Sequence, residues 1–419
     1  MNLSEVLRRV LSQIAIDSLN GYIAGSVLPL HAQPFAPPAE PRQSEDPYCS
    51  VTGEPLKYMS LGTRKMAGML EKIAQTIDPR GNGFANSLRV TMYRKQLATT
   101  TDDAQILNIL GQMSVEMLNS GRTLEALHLL EQLQKSNEDM GSILGANFVA
   151  QNRYFQALCN LRLGEQENCL TNHNAQSCIF PISAAGVHKL QRGSRRAIEI
   201  LERQLQDRPS DRVAAWLLNI ASMTVGDYPD KVPPAWRIPP EAFKSEYDIK
   251  PFPDIAGDLG LDVNGLAGGV IIEDFDGDGN LDILVSDWSP HGPMHFFHNN
   301  ADGSFSDRTI EAGLSGLAGG LNIIQGDYNN DGLPDVLILR GAWLGAEGNQ
   351  PDSLLRNDGH GHFSDVTEEA GLLAFHPNQT AVWLDFNGDG WLDLYFAYES
   401  GGDNVHPCAL YRNNHDGTF

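Results

Sequence analysis

Apolar positions along the chain follow two different periods. From about residue 60 to 228 they recur every three or four residues, the spacing of one helix face. Beyond 252 they come in short runs broken by Gly, Asp and Asn. In the first stretch, "DAQILNILGQMSVEMLNSG" (103–121) and "RTLEALHLLEQLQKSNED" (122–139) predict an antiparallel helix pair with Gly121 at the corner. "GSRRAIEILERQLQDRPSD" (193–211) and "RVAAWLLNIASMTVGD" (212–227) predict a second pair of the same form. In the second stretch, runs such as "GGVII" and "DILV" lack strict alternation, so they predict strands buried on both faces.

Ala197, Leu201 and Pro209 stand at the spacing where tetratricopeptide repeats place their small, large and helix-ending residues. Leu218 and Gly226 continue that register, and Gly121 and Ala126 fit it in the earlier pair. The region resembles degenerate tetratricopeptide repeats, with a generic helical bundle as the alternative. Pro-rich stretches flank it at 33–58 and 228–253, where proline blocks regular helix and stiffens the connection. The expected organisation is an N-terminal segment (1–58), a helical domain (59–228), a Pro-rich linker (229–251) and a repeated β region (252–419). A chain of 419 residues is long enough for two or more domains.

The β region repeats. "FPDIAGDLGL" (252–261), "FSDRTIEAGL" (305–314) and "FSDVTEEAGL" (363–372) align without gaps, with their Phe residues 53 and 58 positions apart. Asp-rich motifs starting at Asp274, Asp327 and Asp385 keep the same spacing, and "NNADGSF" (299–305), "RNDGHGHF" (356–363) and "RNNHDGTF" (412–419) precede the Phe positions. Each unit predicts about four short strands with an Asp-Gly turn, which fits one β-propeller blade. Three units are fewer than the roughly four to eight that close a propeller, so the expectation is a partial propeller from a longer protein. The fold class expected is multidomain α + β, tetratricopeptide-like helices followed by propeller blades.

Charge sharpens this picture. The whole net charge of −23 falls in 252–419, which holds 27 acidic residues against four arginines, while 1–251 is balanced at 26 of each sign. Such a surface disfavours nucleic acid and anionic membrane. No run approaches the ~20 apolar residues needed to span a bilayer. Like charges this close repel, and a divalent cation between them removes the conflict. The first motif places Asp274, Asp276, Asp278 and Asp282 at positions 1, 3, 5 and 9; the second has Asp327, Asn329, Asp331 and Asp335; the third has Asp385, Asn387, Asp389 and Asp393. Position 6 is always Gly, and position 7 (Asn280, Leu333, Trp391) is expected to contribute its backbone carbonyl. Hard oxygen donors without His or Cys select Ca²⁺ over Zn²⁺ or copper, and Mg²⁺ demands stricter geometry. An EF-hand needs Glu at position 12, where Val285, Ile338 and Phe396 stand, so that reading fails.

The three motifs, the "NxDGxF" turns and the "FSDVTEEAGL" segments resemble FG-GAP/VCBS repeats, the calcium-binding blades of integrin-α-like propellers. The "FSD-T-EAGL" form is closest to the cartilage-acidic-protein-like (ASPIC/UnbV) branch. The Phe-Gly…Gly-Ala-Pro signature is absent, which leaves no ground for an integrin-like ligand site. The resemblance implies an extracytoplasmic protein, periplasmic, surface-bound or secreted. It further implies a non-enzymatic adhesion or scaffold role towards a protein or glycan. The alternative is a propeller-based enzyme, a polysaccharide lyase or hydrolase, with its active site on the propeller face or in sequence beyond this chain. No P-loop, dinucleotide fingerprint, GxSxG or HExxH occurs. At the N-terminus Arg8, Arg9 and "VLPLHAQ" (27–33) suit an export signal, whereas Gln13, Asp17 and Asn20 interrupt its apolar stretch, and both readings stay open.

Three further groups draw notice. Cys169, His173, Cys178 and His188 suit either a Cys169–Cys178 disulfide, which is favoured, or a transition-metal site. His291, His295 and His298 lie near Asp287 without a nucleophile and are expected to be ordinary loop and strand histidines. Trp288, Trp343, Trp391 and Tyr398 suit a carbohydrate face, but packing is the commoner use of aromatics.

Overall fold

The computed structural model describes residues 51–139, 141, 144–172, 174, 176–247, 252–401 and 405–419. The chain divides into two compact units, one helical (Asn86–Asp254 among its residues) and one mainly β, which combines residues up to Ala85 with Ile255–Phe419.

The helical unit contains α2 (Asn86–Thr99), α3 (Asp103–Asn119), α4 (Thr123–Asp139), α5 (Gly145–Asn172), α6 (Arg192–Asp207) and α7 (Arg212–Thr224). Each packs on the next. Helix starts are fixed by caps: Asp102 accepts the Gln105 N–H and Asp211 accepts the Ala214 N–H. Gly121 and Gly226 follow α3 and α7 with φ of 77° and 74°, a left-handed conformation that ends a helix and that only glycine adopts without strain. The residues in the repeat register face inward: Ala126, Ala197, Leu201 and Leu218 are buried. The tetratricopeptide-like reading of these pairs therefore fits.

The Pro-rich segment after α7 does not begin as a free linker. Tyr228, Val232 and Trp236 pack against α6 and α7. Asn219 donates its amide to the Trp236 carbonyl and accepts the Ile238 N–H, and the Tyr228 hydroxyl donates to the Ile238 carbonyl. Proline makes this segment stiff, and its apolar side chains give it a surface to lie on.

The β unit holds three antiparallel meanders. The first runs β1 (Ala267–Glu273), β2 (Asp282–Asp287), β3 (His295–Asn299), β4 (Phe305–Asp307). The second runs β5 (Gly320–Gly326), β6 (Asp335–Arg340), β7 (Ser353–Asn357), β8 (Phe363–Asp365). The third has β9 (Asn378–Leu384), β10 (Asp393–Tyr398) and β11 (Ala409–Tyr411). Strand order equals chain order in each, and β1 packs beside β5 and β5 beside β9. Three such sheets do not close a ring.

Glycine permits the close approach of the first strands. A Cβ on Gly269 would stand 2.5 Å from the Ile323 nitrogen of β5, so no larger residue fits there. Two shared cores join the sheets. Ile271, Phe275, Leu284 and Phe296 of the first pack with Val336, Leu355 and Phe363 of the second. Tyr328, Leu337, Leu354 and Val366 of the second pack with Leu394 and Phe396 of the third. The "EAGL" segments act across the same seams, since Ala312 and Ala370 accept the N–H groups of Phe363 and Phe419.

One helix departs from the expected boundaries. Helix α1 (Leu61–Thr76) was expected in the helical domain over 59–228, yet it belongs to the β unit. Met66 and Leu70 enter the core shared by the first two sheets. Thr63 accepts the Asp365 N–H on β8, Lys65 pairs with Glu368 at 2.9 Å, and a Cβ on Gly62 would overlap the Asp365 carbonyl. The amphipathic period gives a helix and a buried face but not the surface that covers that face.

Candidate metal loops

Each Asp-rich motif turns between the first two strands of a sheet, and the three turns are built alike. In the first, Asp274 Oδ1 accepts the N–H groups of Gly277 (2.9 Å) and Asp278 (3.1 Å), and Oδ2 accepts that of Gly279 (2.9 Å). In the second, Asp327 accepts from Asp331 (3.1 Å) and Gly332 (2.9 Å). In the third, Asp385 accepts from Gly388 (2.7 Å), Asp389 (3.1 Å) and Gly390 (2.9 Å). Gly279, Gly332 and Gly390 have φ of 88°, 85° and 84°, which explains glycine at position 6. Position 5 closes the turn: Asp278, Asp331 and Asp389 accept the N–H of Asn280, Leu333 and Trp391. The hydrogen bond from Asn280 holds the Asp278 carboxyl below the usual range.

The carboxylates do converge. Asp274, Asp276 and Asp278 each bring one oxygen within 4.8 Å of the others. Two oxygens on opposite sides of a Ca²⁺ at about 2.4 Å lie about 4.8 Å apart, so the three oxygens are close enough together to share one ion. Loops two and three replace the middle carboxylate with Asn329 and Asn387, whose amides donate to Asp331 and Asp389 at 2.8 Å. The side chains of Asn280, Leu333 and Trp391 share no role, which leaves their backbone as the repeated element; Trp391 stacks on His415, whose Nε2 is 2.9 Å from Asp389 Oδ2.

The position-9 residues stand apart from the exposed cluster. Asp282, Asp335 and Asp393 are fully buried. One oxygen of each accepts the N–H at position 2 (Phe275, Tyr328, Phe386). The other accepts the N–H of Asn299 or Asn357 at the end of the third strand, or of Asn413 just beyond it. Each carboxylate thus ties loop, second strand and third strand together. Burial pushes Asp335 up to about 7 and raises Asp282 as well. Asp282 also meets Asp276 and His298 in a second convergent group.

The asparagines six residues ahead of each repeated Phe, Asn299, Asn357 and Asn413, carry a function that turn chemistry alone does not show. Their side-chain oxygens hold the turn, accepting the N–H of Ala301, Gly359 and His415. In the second and third sheets the amide crosses to the preceding sheet: Asn357 donates to the Phe275 carbonyl and Asn413 to that of Tyr328. The signal available in sequence was the same Asn at the same offset in every unit. Asn357→Ala strands a buried carbonyl and is expected to cost about 1–3 kcal/mol. Urea unfolding measures it; a loss under a few tenths would remove this bond from the account.

The remaining candidates scatter. His295 approaches Asp307 at 3.3 Å and stacks on Phe297, His291 is exposed, and Asp287 accepts the N–H groups of Leu266 and Ser289. Trp288 is buried between Phe84 and Trp343, while Tyr398 lies against His376; among the described residues no ring contact joins these groups to Trp391. Cys178 is an exposed, free cysteine, so the favoured disulfide to it is not formed, and His188 hydrogen-bonds Ser194; the Cys169 side chain and His173 lie outside the described residues. The expected export signal at 1–33 is outside them too. No described helix is long and apolar enough to cross a membrane.

Comparison with known proteins agrees with the loops. A family model described as FG-GAP-like repeat matches residues 274–338, which contain the first two motifs. Cartilage acidic protein 1 of Homo sapiens is 28% identical over 228 residues, 53% of this chain and 31% of the relative. The Mus musculus protein of the same name is 28% identical over 202 residues, 46% of this chain and 29% of the relative. The chain therefore spans about a third of the length of the curated relatives it matches. With the repeated loops, the phased β units and the preceding helices in view, the chain carries an FG-GAP-like repeat region over 274–338 and is similar to cartilage acidic protein 1, with tetratricopeptide-like helices ahead of the repeats.

Proposed function

We propose that this protein is a non-enzymatic, extracytoplasmic binding scaffold whose β units are propeller blades stabilised by calcium. The observation that carries the reading is the threefold loop of matching geometry, with three carboxylates of the first copy close enough together to share one ion. The holding residues are Asp274, Asp276, Asp278 and Asp282, then Asp327, Asn329, Asp331 and Asp335, then Asp385, Asn387, Asp389 and Asp393. The backbone at Asn280, Leu333 and Trp391 completes each set. The ion supplies positive charge that offsets carboxylate repulsion. The chain supplies the turn, fixed by Gly at position 6, and the buried position-9 carboxylate that ties the loop to two strands. Affinities of extracellular oxygen-ligand modules reach the weak ~10⁻⁴–10⁻³ M range, which suits millimolar external calcium. The surface so fixed is acidic, and its partner is a protein or glycan.

Thermal unfolding with calcium and with chelator tests this. A ligand at a hundredfold its Kd stabilises by about 2.7 kcal/mol per site, so the wild type is expected to melt higher with calcium. Asp278→Ala and Asp331→Ala are each expected to remove one equivalent in calorimetric titration and to shrink the calcium-dependent shift. Equal melting with and without chelator would count decisively against calcium.

A further inference from the structure

The first sheet differs from the others at one place beside its loop. His298 on β3 occupies the position that Arg356 and Arg412 hold in the second and third units. It is 8% exposed. Its Nδ1 lies 3.0 Å from Asp276 Oδ2 and 3.3 Å from Asp282 Oδ1. Neither approach has hydrogen-bond alignment, so this buried nitrogen has no hydrogen-bond partner. A buried polar atom without a partner is costly and asks for an explanation.

We propose that the first unit carries a second cation position, formed by Asp276, Asp282 and His298, which takes a borderline transition divalent such as Zn²⁺. The donor set is one imidazole nitrogen and two carboxylate oxygens, a chemistry that suits zinc and that calcium does not seek. Zinc ligands at about 2.0–2.2 Å in a tetrahedron lie about 3.3 Å from each other. The observed 3.0 and 3.3 Å separations match that edge, and all three ligand atoms lie within 4.8 Å of one another. Asp276 can serve both positions, because Oδ1 faces the loop, accepting the Asp278 N–H at 3.3 Å, while Oδ2 faces His298. The other units are barred from this chemistry, since a guanidinium offers no lone pair to a metal.

The proposal touches the calcium reading through the shared Asp276 and Asp282, and the two fail separately. The probe is Co²⁺ added to the full chain in saturating calcium, read by visible absorption and by metal content. The expected result is one tightly held equivalent with the intense band of tetrahedral Co²⁺, displaced by Zn²⁺. His298→Arg, which installs the residue of the sister units, is expected to lose that equivalent and keep the calcium-dependent melting shift. A cobalt band without any calcium shift supports this site and sinks the calcium scaffold. Three results overturn the site: no band in the wild type, a band abolished by calcium, or a band unchanged in His298→Arg. The last would transfer attention to His376 and His406, whose Nδ1 atoms stand 2.8 Å apart.

Discussion

Phe363→Ala is expected to destabilise the β unit by about 3–5 kcal/mol, the cost of deleting a fully buried ring. Phe363 sits on β8 with no exposed surface. Its ring meets Phe275 at 5.4 Å and Phe296 at 6.0 Å, both near-perpendicular, and those two meet each other at 6.0 Å. Phe275 comes from the first Asp-rich loop and Phe296 from β3, so the three rings close the seam between the first two sheets. Edge-to-face pairs add about 0.5–1.5 kcal/mol beyond burial, which places this site at the upper end of the range. Urea unfolding should show a lower midpoint at an unchanged slope, and Phe363→Leu should recover part of the loss. A loss below about 1 kcal/mol would mean that the two sheets do not share this core.

Arg340→Met is expected to cost a similar ~3–5 kcal/mol for a different reason. Arg340 is fully buried at the end of β6. Its guanidinium donates to the carbonyls of Ala318 and Pro351 and to the Ser353 hydroxyl, while Asp352 accepts its backbone N–H and the Asn378 amide. Burial pulls Arg340 down to about 10 and pushes Asp352 up to about 7, and Asp365 is buried and raised as well. The cation is the counter-charge of these acids, and a methionine of similar length leaves them unopposed.

The pH dependence has a definite sign. Unfolded Asp352 gives up its proton near about 4, whereas the folded residue holds it to about 7. The folded state binds more protons across that window, so this group's contribution falls as pH rises through it and levels above. Without Arg340 the folded value climbs further, and the deficit relative to wild type should widen from pH 6 to pH 9. Asp352→Asn in the Arg340→Met background should narrow it. A deficit independent of pH would assign the loss to packing alone. Melts in chelator keep the loop carboxylates from contributing through calcium.

The loops were legible because everything that shapes them lies within nine residues. Asp274 reaches N–H groups three to five positions ahead, and Gly279 supplies the conformation the turn needs. The strands were legible because β-branched and apolar runs between Gly and Asp turns are a local signal, and the repeat confirmed their phase. The helix pairs followed from a period of three to four and from glycine at the corners. Composition read over the same segments located the acidic half of the chain.

Other features escaped because their cause is a neighbour far along the chain. Helix α1 has an amphipathic face, but sequence does not say that this face meets β8 some 300 residues later; the Thr63–Asp365 contact is the first sign of it. Asn357 reads as a turn residue, and only the adjacent sheet shows the carbonyl its amide serves. Arg340 and Asp352 read as ordinary charges at strand ends until the fold encloses them. His298 reads as a strand histidine until Asp276 and Asp282 arrive beside it. The amino-acid sequence by itself determined the periods, the turns and the loops that gather carboxylates, since backbone stereochemistry and short-range hydrogen bonds suffice for those. The tertiary structure alone decided which faces meet and which charges are sealed from water, because burial and long-range pairing are properties of the packed chain rather than of any segment in it.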